Sequence, residues 1–210
     1  MSTSSSSTSG TSSGSPESTV STSPPEPRRL RLVGPDPRIG DVYLSAPQLH
    51  ERVTELGAQI SADYAGREPL LVGVLRASVV FIADLSRAIS IHHALDFVAL
   101  AGYGRTLGGH SQVRVMKDLD APIAGRDVLI VDVVVDTGLT LHYLLNALRL
   151  RDPASVAACT LLDRPYRRLV DDLPIRYVGF TVPDEFYVGY GFDLDDRYRG
   201  LPDIRVVTSR

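Results

Sequence analysis

The sequence contains one cysteine and no tryptophan among its 210 residues, and it has no long hydrophobic run. A single cysteine cannot form an intrachain disulfide. Cys159 lies in the apolar run 156–159, where we expect a small buried side chain rather than a nucleophile. Such sparing use of cysteine fits a reducing, cytoplasmic environment. Because no run of about 18 apolar residues is present, no membrane span is predicted.

A surplus of positive charge is missing as well. The chain has 22 basic against 25 acidic residues, which gives a net charge of −3. A nucleic-acid binder needs a basic surplus to neutralise the phosphate backbone, so nucleic acid is not an expected partner. Lysine is almost absent, since Lys117 is the only one and all other basic residues are arginines.

Residues 1–27 differ in composition from the rest of the chain. They form a Ser/Thr-rich tract that ends in a proline-rich stretch. Such a segment has too little apolar surface to offset the entropy that is lost on ordering. We therefore predict a disordered tail over residues 1–27 and one globular domain over residues 28–210, which is long enough to bury a core.

The domain alternates apolar strands with amphipathic helices. A first helix is predicted from Ser45, which has capping-box spacing to Gln48. The other predicted helices cover residues 79–89 and 139–149, and the almost wholly apolar strands cover residues 70–75, 97–100, 128–135, 156–162 and 177–182. Strands without a polar face are typical of a parallel sheet that helices cover on both sides. The order of elements predicts a doubly wound α/β fold.

The segment 128–141 gives the strongest indication of function. An apolar strand ends at Asp136, and the chain turns through Thr137 and Gly138 into a helix. Ligands of open α/β sheets bind at this carboxyl edge, and the N–H groups of a helix N-terminus attract anions. Gly138 lets the backbone approach a phosphate closely, and Thr140 adds a hydroxyl group. We therefore predict that this turn binds a phosphate.

This whole segment resembles the signature of the phosphoribosyltransferases, in particular the hypoxanthine-guanine phosphoribosyltransferases. The resemblance implies the type I fold of that family, a doubly wound parallel sheet with a flexible flap and a small hood near the C-terminus. It also implies a homodimer or a homotetramer. In that family D-T-G-x-T wraps the 5′-phosphate of 5-phosphoribosyl 1-diphosphate. The residues that would lie at the phosphate here are Thr137, Gly138, Leu139 and Thr140.

Further matches cover most of the chain from about residue 41. Residues 71–78 resemble the family's diphosphate-binding loop, and residues 97–104 open a stretch that is similar to its mobile flap. The resemblance implies that these two segments bring four residues to the diphosphate side of the site: Arg76, Ala77, Gly102 and Tyr103. Residues 161–165 resemble the segment whose cation, here Arg164, hydrogen-bonds the exocyclic oxygen of the purine.

The stretch 182–202 is similar to the C-terminal signature of the family nearly throughout. By that likeness Phe186 stacks on the base and Tyr187 offers backbone groups to its edge. Asp193 holds a magnesium ion, and Arg199 meets the diphosphate.

The implied reaction is the transfer of a phosphoribosyl group to a 6-oxopurine, hypoxanthine or guanine, in purine salvage. The transition state resembles an oxocarbenium ion while diphosphate departs, so the protein must neutralise the leaving group and exclude water. The resemblance implies Mg²⁺ as cofactor, with Asp193 and Asp132 as its carboxylates. Asp136 is the candidate base for the purine proton, and Asp132 is the second candidate catalytic residue.

Several ligand positions depart from the family pattern. The usual Glu-Asp pair is Asp132-Val133 here, and valine cannot accept a hydrogen bond from the ribose. The Lys-Gly of the first loop is Arg76-Ala77, and the purine-reading lysine is Arg164. If the chain uses the usual donor, Val133→Asp is expected to raise transfer at least about tenfold, since a charge-assisted hydrogen bond contributes about 1.5–3 kcal/mol. If the chain has another function, the same change should bring no gain.

These departures leave two alternatives open. The first is an enzyme on the same scaffold with a different acceptor, donor or reaction, as in a specialised biosynthetic pathway. The second is a non-catalytic regulator that binds a nucleotide. For single residues, the ordinary interpretations are a core ring for Phe186 and a surface basic cluster for Arg164, Arg167 and Arg168.

Overall fold

The computed structural model describes residues 36–101 and 114–208. The predicted tail, its boundary at residue 28 and the flap residues Gly102 and Tyr103 lie outside the described residues. The chain divides into two units between Gly34 and Pro35, and all described residues belong to the second. No helix within the described residues is long and apolar enough to cross a membrane.

The described elements follow one another as β1 (Ile39–Leu44), α1 (Ala46–Asp63), β2 (Leu70–Leu75), α2 (Val79–Ala88), β3 (Ala94–Ala101), β4 (Arg114–Lys117), β5 (Asp127–Val135), α3 (Leu139–Arg149), β6 (Ser155–Asp163), a turn of 3₁₀ helix (Pro165–Arg167), β7 (Ile175–Thr181), β8 (Tyr187–Val188) and β9 (Ile204–Val207). The three helices and the five apolar strands of the sequence prediction are confirmed, with ends that differ by at most three residues.

The main sheet has six strands in the order β4-β3-β2-β5-β6-β7. All neighbours run parallel except β4, which pairs antiparallel with β3. Two apolar clusters cover its two faces; α1 and α2 pack on one and α3 on the other. The doubly wound α/β architecture is therefore confirmed, and β5, which carries the candidate site, lies between β2 and β6.

Local sequence explains where the helices begin. The backbone N–H of Ser45 donates to the side-chain oxygen of Gln48 at 3.0 Å, as the capping spacing predicts. The apolar stripe of α1, including Leu49, Leu56 and Ile60, is buried against the sheet. α3 begins after Gly138, whose left-handed backbone conformation turns the chain out of β5.

A second sheet of three antiparallel strands, in the order β1-β9-β8, forms the hood. β8 and β9 come from the C-terminal region, where the hood is expected, whereas β1 precedes α1 and the sequence analysis does not predict it. β1 contains Gly40 and Asp41, so it lacks the continuous apolar run of the other strands. Its pairing with β9, from the far end of the chain, completes the hood.

Candidate active site

A cavity of about 260 Å³ lies at the carboxyl edge of the main sheet, where β5 ends and α3 begins. Its lining includes the two candidate acids, most of the predicted phosphate turn and one residue of the first loop, namely Asp132, Asp136, Thr137, Gly138, Thr140 and Ala77. Val133, Leu141 and Phe192 add apolar surface. The fold therefore brings together residues that are far apart in the sequence.

Gly138 occupies a position in this turn where no other residue fits without a shift. Its φ is +83°, in the left-handed region that favours glycine. A Cβ atom at this position would lie 2.6 Å from Cδ1 of Leu173 and 3.0 Å from Cδ of Arg168. The carbonyl of Thr137 accepts a hydrogen bond of 2.9 Å from the N–H of Leu169, so the loop that follows β6 supports the turn from behind. This packing fixes the backbone that would hold the phosphate.

Asp132 carries an unusual carboxyl group in the cavity wall. Burial raises its pKa to about 7, and hydrogen bonds from the N–H groups of Val133 and Val134 oppose that effect. The bond from Val133 N–H measures 2.8 Å. A carboxyl group with such a pKa is partly protonated at neutral pH, and a cation beside it would favour the charged form.

Val133, which replaces an acid of the family pattern, is a core residue in this structure. Its side chain is only 1% exposed and belongs to the apolar cluster beneath α1 and α2, together with Leu129, Val131 and Leu161. It also contributes to the cavity wall. The departure at this position therefore places an apolar group where the core and the cavity meet.

Asp136 lies between two arginines. Nε of Arg167 is 3.2 Å from its Oδ1, and Nη1 of Arg164 is 3.8 Å from its Oδ2. Oδ1 is buried and accepts no aligned hydrogen bond from the residues that the structure describes, so the contact with Arg167 is an ion pair. The sequence alone indicates a surface cation at Arg167 and does not predict this contact.

Arg164 is nearly buried, with 8% of its side chain exposed. It donates a hydrogen bond to the carbonyl of Glu185, and its guanidinium lies 5.3 Å from the centre of the Tyr187 ring. Arg164, which the resemblance assigns to the purine oxygen, therefore lies beside the segment of Phe186 and Tyr187, which the resemblance assigns to the purine ring.

Phe186 and Tyr187 occupy different environments. The side chain of Phe186 is 44% exposed, so this ring is not part of the core. Tyr187 is buried, and its ring packs on Tyr43 with 5.1 Å between the ring centres. The N–H of Val207 donates to the carbonyl of Phe186 at 2.7 Å, so the hood holds the backbone at this point. An exposed ring on a fixed backbone is suited to stack on a flat ligand.

The loop after β2 and the C-terminal loop contact each other beside the cavity. The peptide bond before Arg76 is cis, and the Arg76 side chain donates to Asp196 at 2.8 Å. A Cβ atom at Gly191 would lie 2.0 Å from the carbonyl oxygen of Ala77, so the two backbones touch. Arg199 donates to the carbonyl of Gly191 at 2.8 Å. Three of the five residues predicted for the diphosphate, Arg76, Ala77 and Arg199, therefore lie along one junction of two loops, and the other two, Gly102 and Tyr103, lie outside the described residues.

Asp132 and Asp193 are the two carboxylates that are predicted to hold Mg²⁺. Within residues 36–101 and 114–208, no three His, Cys, Asp or Glu side chains are grouped as a complete metal site. Mg²⁺ at phosphate-transfer sites is usually held by one or two carboxylates together with substrate phosphates and waters. Asp132 lines the cavity, whereas Asp193 is not among its lining residues and forms an ion pair with Arg199 at 2.7 Å. The carboxylate oxygens of both residues are of the kind that Mg²⁺ prefers, and a phosphorylated substrate would supply the other ligands.

Comparison with known proteins identifies the family of the chain. A family model described as the phosphoribosyl transferase domain matches residues 40–196. The chain belongs to the phosphoribosyltransferase family. A hypoxanthine phosphoribosyltransferase of Salmonella typhimurium is 46% identical over 164 residues, which are 77% of this chain and 92% of that protein. A hypoxanthine-guanine phosphoribosyltransferase of Mycobacterium avium is 44% identical over 178 residues, which are 82% of this chain and 87% of that protein.

Solved structures agree with this membership. A crystal structure of a hypoxanthine-guanine phosphoribosyltransferase from Bacillus anthracis superposes with a TM-score of 0.76 at 44% identity. The match covers 80% of this chain and 99% of that one. The type I fold and the family resemblance that the sequence predicts are confirmed. The roles of the individual site residues remain predictions.

Proposed function

We propose that this phosphoribosyltransferase transfers the phosphoribosyl group of 5-phosphoribosyl 1-diphosphate to the 6-oxopurines hypoxanthine and guanine. The observation that carries the proposal is that the phosphate turn and Asp136 line the same cavity. Arg164 lies 3.8 Å from Asp136 and donates a hydrogen bond to the carbonyl of Glu185, the residue before Phe186. Relatives with more than 40% identity that are named for this activity support it.

Different residues along the cavity would contact different parts of the two substrates. The turn 137–140 offers N–H and hydroxyl groups to the 5′-phosphate, and the junction of Arg76 and Arg199 offers positive charge to the diphosphate. Asp136 takes the proton of the purine nitrogen as the new bond forms. Arg164 donates a hydrogen bond to the exocyclic oxygen of the purine. A 6-amino group cannot accept this hydrogen bond in the same way.

Asp132 and Asp193 are the residues that would hold Mg²⁺, which when bound neutralises charge on the departing diphosphate. Without a cation, the carboxyl group of Asp132 has a pKa of about 7, because burial disfavours its charge. An assembly of two or four copies, as the family resemblance implies, stays a prediction.

The direct test is an assay of purified protein with the diphosphate donor, Mg²⁺ and one purine at a time. We expect nucleotide formation from hypoxanthine and guanine. Adenine should react at least about 100-fold more slowly, because it leaves the donor of Arg164 unpaired. Chelation of the metal should abolish turnover. If neither 6-oxopurine reacts, the proposed function is wrong, and nucleotide binding without turnover would favour a regulator.

Phe186→Ala should weaken binding of the purine nucleotide by about 5- to 150-fold, because stacking on an aromatic ring contributes about 1–3 kcal/mol per base. Tyr143→Ala is the matched control, since this tyrosine of α3 is 38% exposed and is not among the residues that line the cavity. Calorimetric titration with the nucleotide measures both. Equal affinity of the Phe186→Ala variant and the control would contradict the stacking role.

A further inference from the structure

Arg167 connects two carboxylates that belong to different parts of the fold. Its Nε lies 3.2 Å from Oδ1 of Asp136, at the end of β5. Its Nη1 donates to Oδ1 of Asp184 at 2.9 Å, in the loop that leads to β8. The hydrogen bond to Asp184 raises the pKa of Arg167, and the charges of Asp136 and Asp184 add to this effect. One guanidinium therefore joins the sheet edge to the neighbouring loop.

The loop on the far side of this link carries the proposed base platform. Asp184 precedes Phe186 by two residues, and between them the carbonyl of Glu185 accepts a hydrogen bond from Arg164. Arg164 itself lies 3.7 Å from Asp184 and 3.8 Å from Asp136. The two arginines and the two carboxylates thus alternate in charge around a closed ring. This ring connects the group that would accept the purine proton with the backbone that would hold the purine.

Asp136 depends on this ring because, within residues 36–101 and 114–208, no group donates a hydrogen bond to one of its oxygens. Oδ1 is buried and accepts no aligned hydrogen bond among the described residues, so the guanidinium of Arg167 is the charge that stabilises it. A buried carboxylate oxygen without a hydrogen bond is costly unless a cation lies beside it. Arg167 therefore determines the orientation in which Asp136 presents its second oxygen.

We propose that Arg167 is a positioning residue, which holds Asp136 at the correct distance from the base platform through its simultaneous contacts with Asp136 and Asp184. The proposal rests on the proposed function, because it assigns Asp136 the purine proton. Arg167 stabilises the geometry of the chemical step and does not touch the donor. Its loss should therefore reduce kcat far more than it raises KM for 5-phosphoribosyl 1-diphosphate.

The test is steady-state kinetics of Arg167→Met with hypoxanthine and the diphosphate donor. We expect kcat to fall at least about tenfold, since a misplacement of about 1 Å at a reacting group can cost about 100-fold in rate. KM for the donor should change less than about twofold. Arg167→Lys keeps the charge but has no planar fork to contact both carboxylates, so it should recover only part of kcat.

Arg151→Met is the matched control. Arg151 is as exposed as Arg167, with 38% against 39% of the side chain accessible, and it also pairs with an aspartate, Asp118, through two hydrogen bonds. It lies in the turn after α3, away from the cavity lining. This variant should keep the wild-type kcat. A kcat of Arg167→Met within about twofold of that of Arg151→Met would overturn the proposal.

A double-mutant cycle with Asp184→Ala separates positioning from general destabilisation. If Arg167 acts by bridging, the double variant should be no more than about twofold slower than Arg167→Met alone, because the bridge is already broken. Fully additive losses in kcat would show that the two residues act separately, and would overturn the proposal. A wild-type protein that transfers no phosphoribosyl group contradicts the proposed function instead, so the two failures are distinguishable.

Discussion

We expect Gly138→Ala to weaken binding of 5-phosphoribosyl 1-diphosphate at least about 100-fold. The added Cβ would lie 2.6 Å from Cδ1 of Leu173 and 3.0 Å from Cδ of Arg168, so either the turn or the supporting loop must move. A shift of the turn moves the N–H groups that would hold the 5′-phosphate. Loss of two charge-assisted hydrogen bonds, at about 1.5–3 kcal/mol each, corresponds to a change of about 100-fold or more in Kd.

Gly125→Ala separates this effect from backbone strain. Gly125 also has a positive φ, of +69°, but a Cβ atom there would meet nothing within 4 Å. It lies just before β5, at the edge of the sheet opposite the cavity. Both variants should lose stability through the left-handed conformation, and only Gly138→Ala should lose the ligand. Titration with the diphosphate donor and thermal unfolding of both variants give the comparison.

Unchanged donor affinity in a folded Gly138→Ala protein would contradict the assignment of this turn to the 5′-phosphate. It would also remove the main support for the proposed function, since the other predicted ligand residues are arranged around this turn. A loss of affinity in both variants would point instead to a general effect of strain on the domain.

The sequence predicts the backbone of the site because that information is local. An apolar strand, an acid, a glycine and an amphipathic helix follow one another in the order that a ligand-binding sheet edge requires. The capping pair of Ser45 and Gln48 likewise specifies the start of α1 within four residues. The structure confirms both, because the residues that begin each helix lie close together in the sequence.

The contacts of Arg167 are not predictable in this way. In the sequence it is one of several arginines after β6, and a solvated surface cation has the same local pattern. Its partners Asp136 and Asp184 come close only when β5 and the loop before β8 meet at the sheet edge. β1 was missed for a related reason, because its place in the hood depends on pairing with β9.

Val133 is the position where structure and family pattern lead to different expectations. From the pattern alone, an aspartate here should restore a partner for the ribose. In the structure the side chain is 1% exposed and packs with Leu129, Val131 and Leu161, so a carboxylate would enter the apolar core. Burial also raises the pKa of the neighbouring Asp132, and we expect the same desolvation to oppose the charge of a carboxylate at position 133.

We therefore expect Val133→Asp to destabilise the protein by about 3–5 kcal/mol, the cost of an unpaired buried charge, and to bring no gain in transfer. Burial raises the pKa of such a carboxyl group, so its cost is small where the group is protonated and grows as the pH rises above the unfolded-state pKa of about 3.9. The difference in melting temperature from wild type should accordingly be larger at pH 8 than at pH 5.

Val133→Thr, which adds a hydroxyl group without a charge, should show a difference in melting temperature that does not depend on pH. A stable Val133→Asp protein with at least tenfold faster transfer to hypoxanthine would show instead that the side chain at this position reaches the ribose, and that the valine limits the rate of the natural protein.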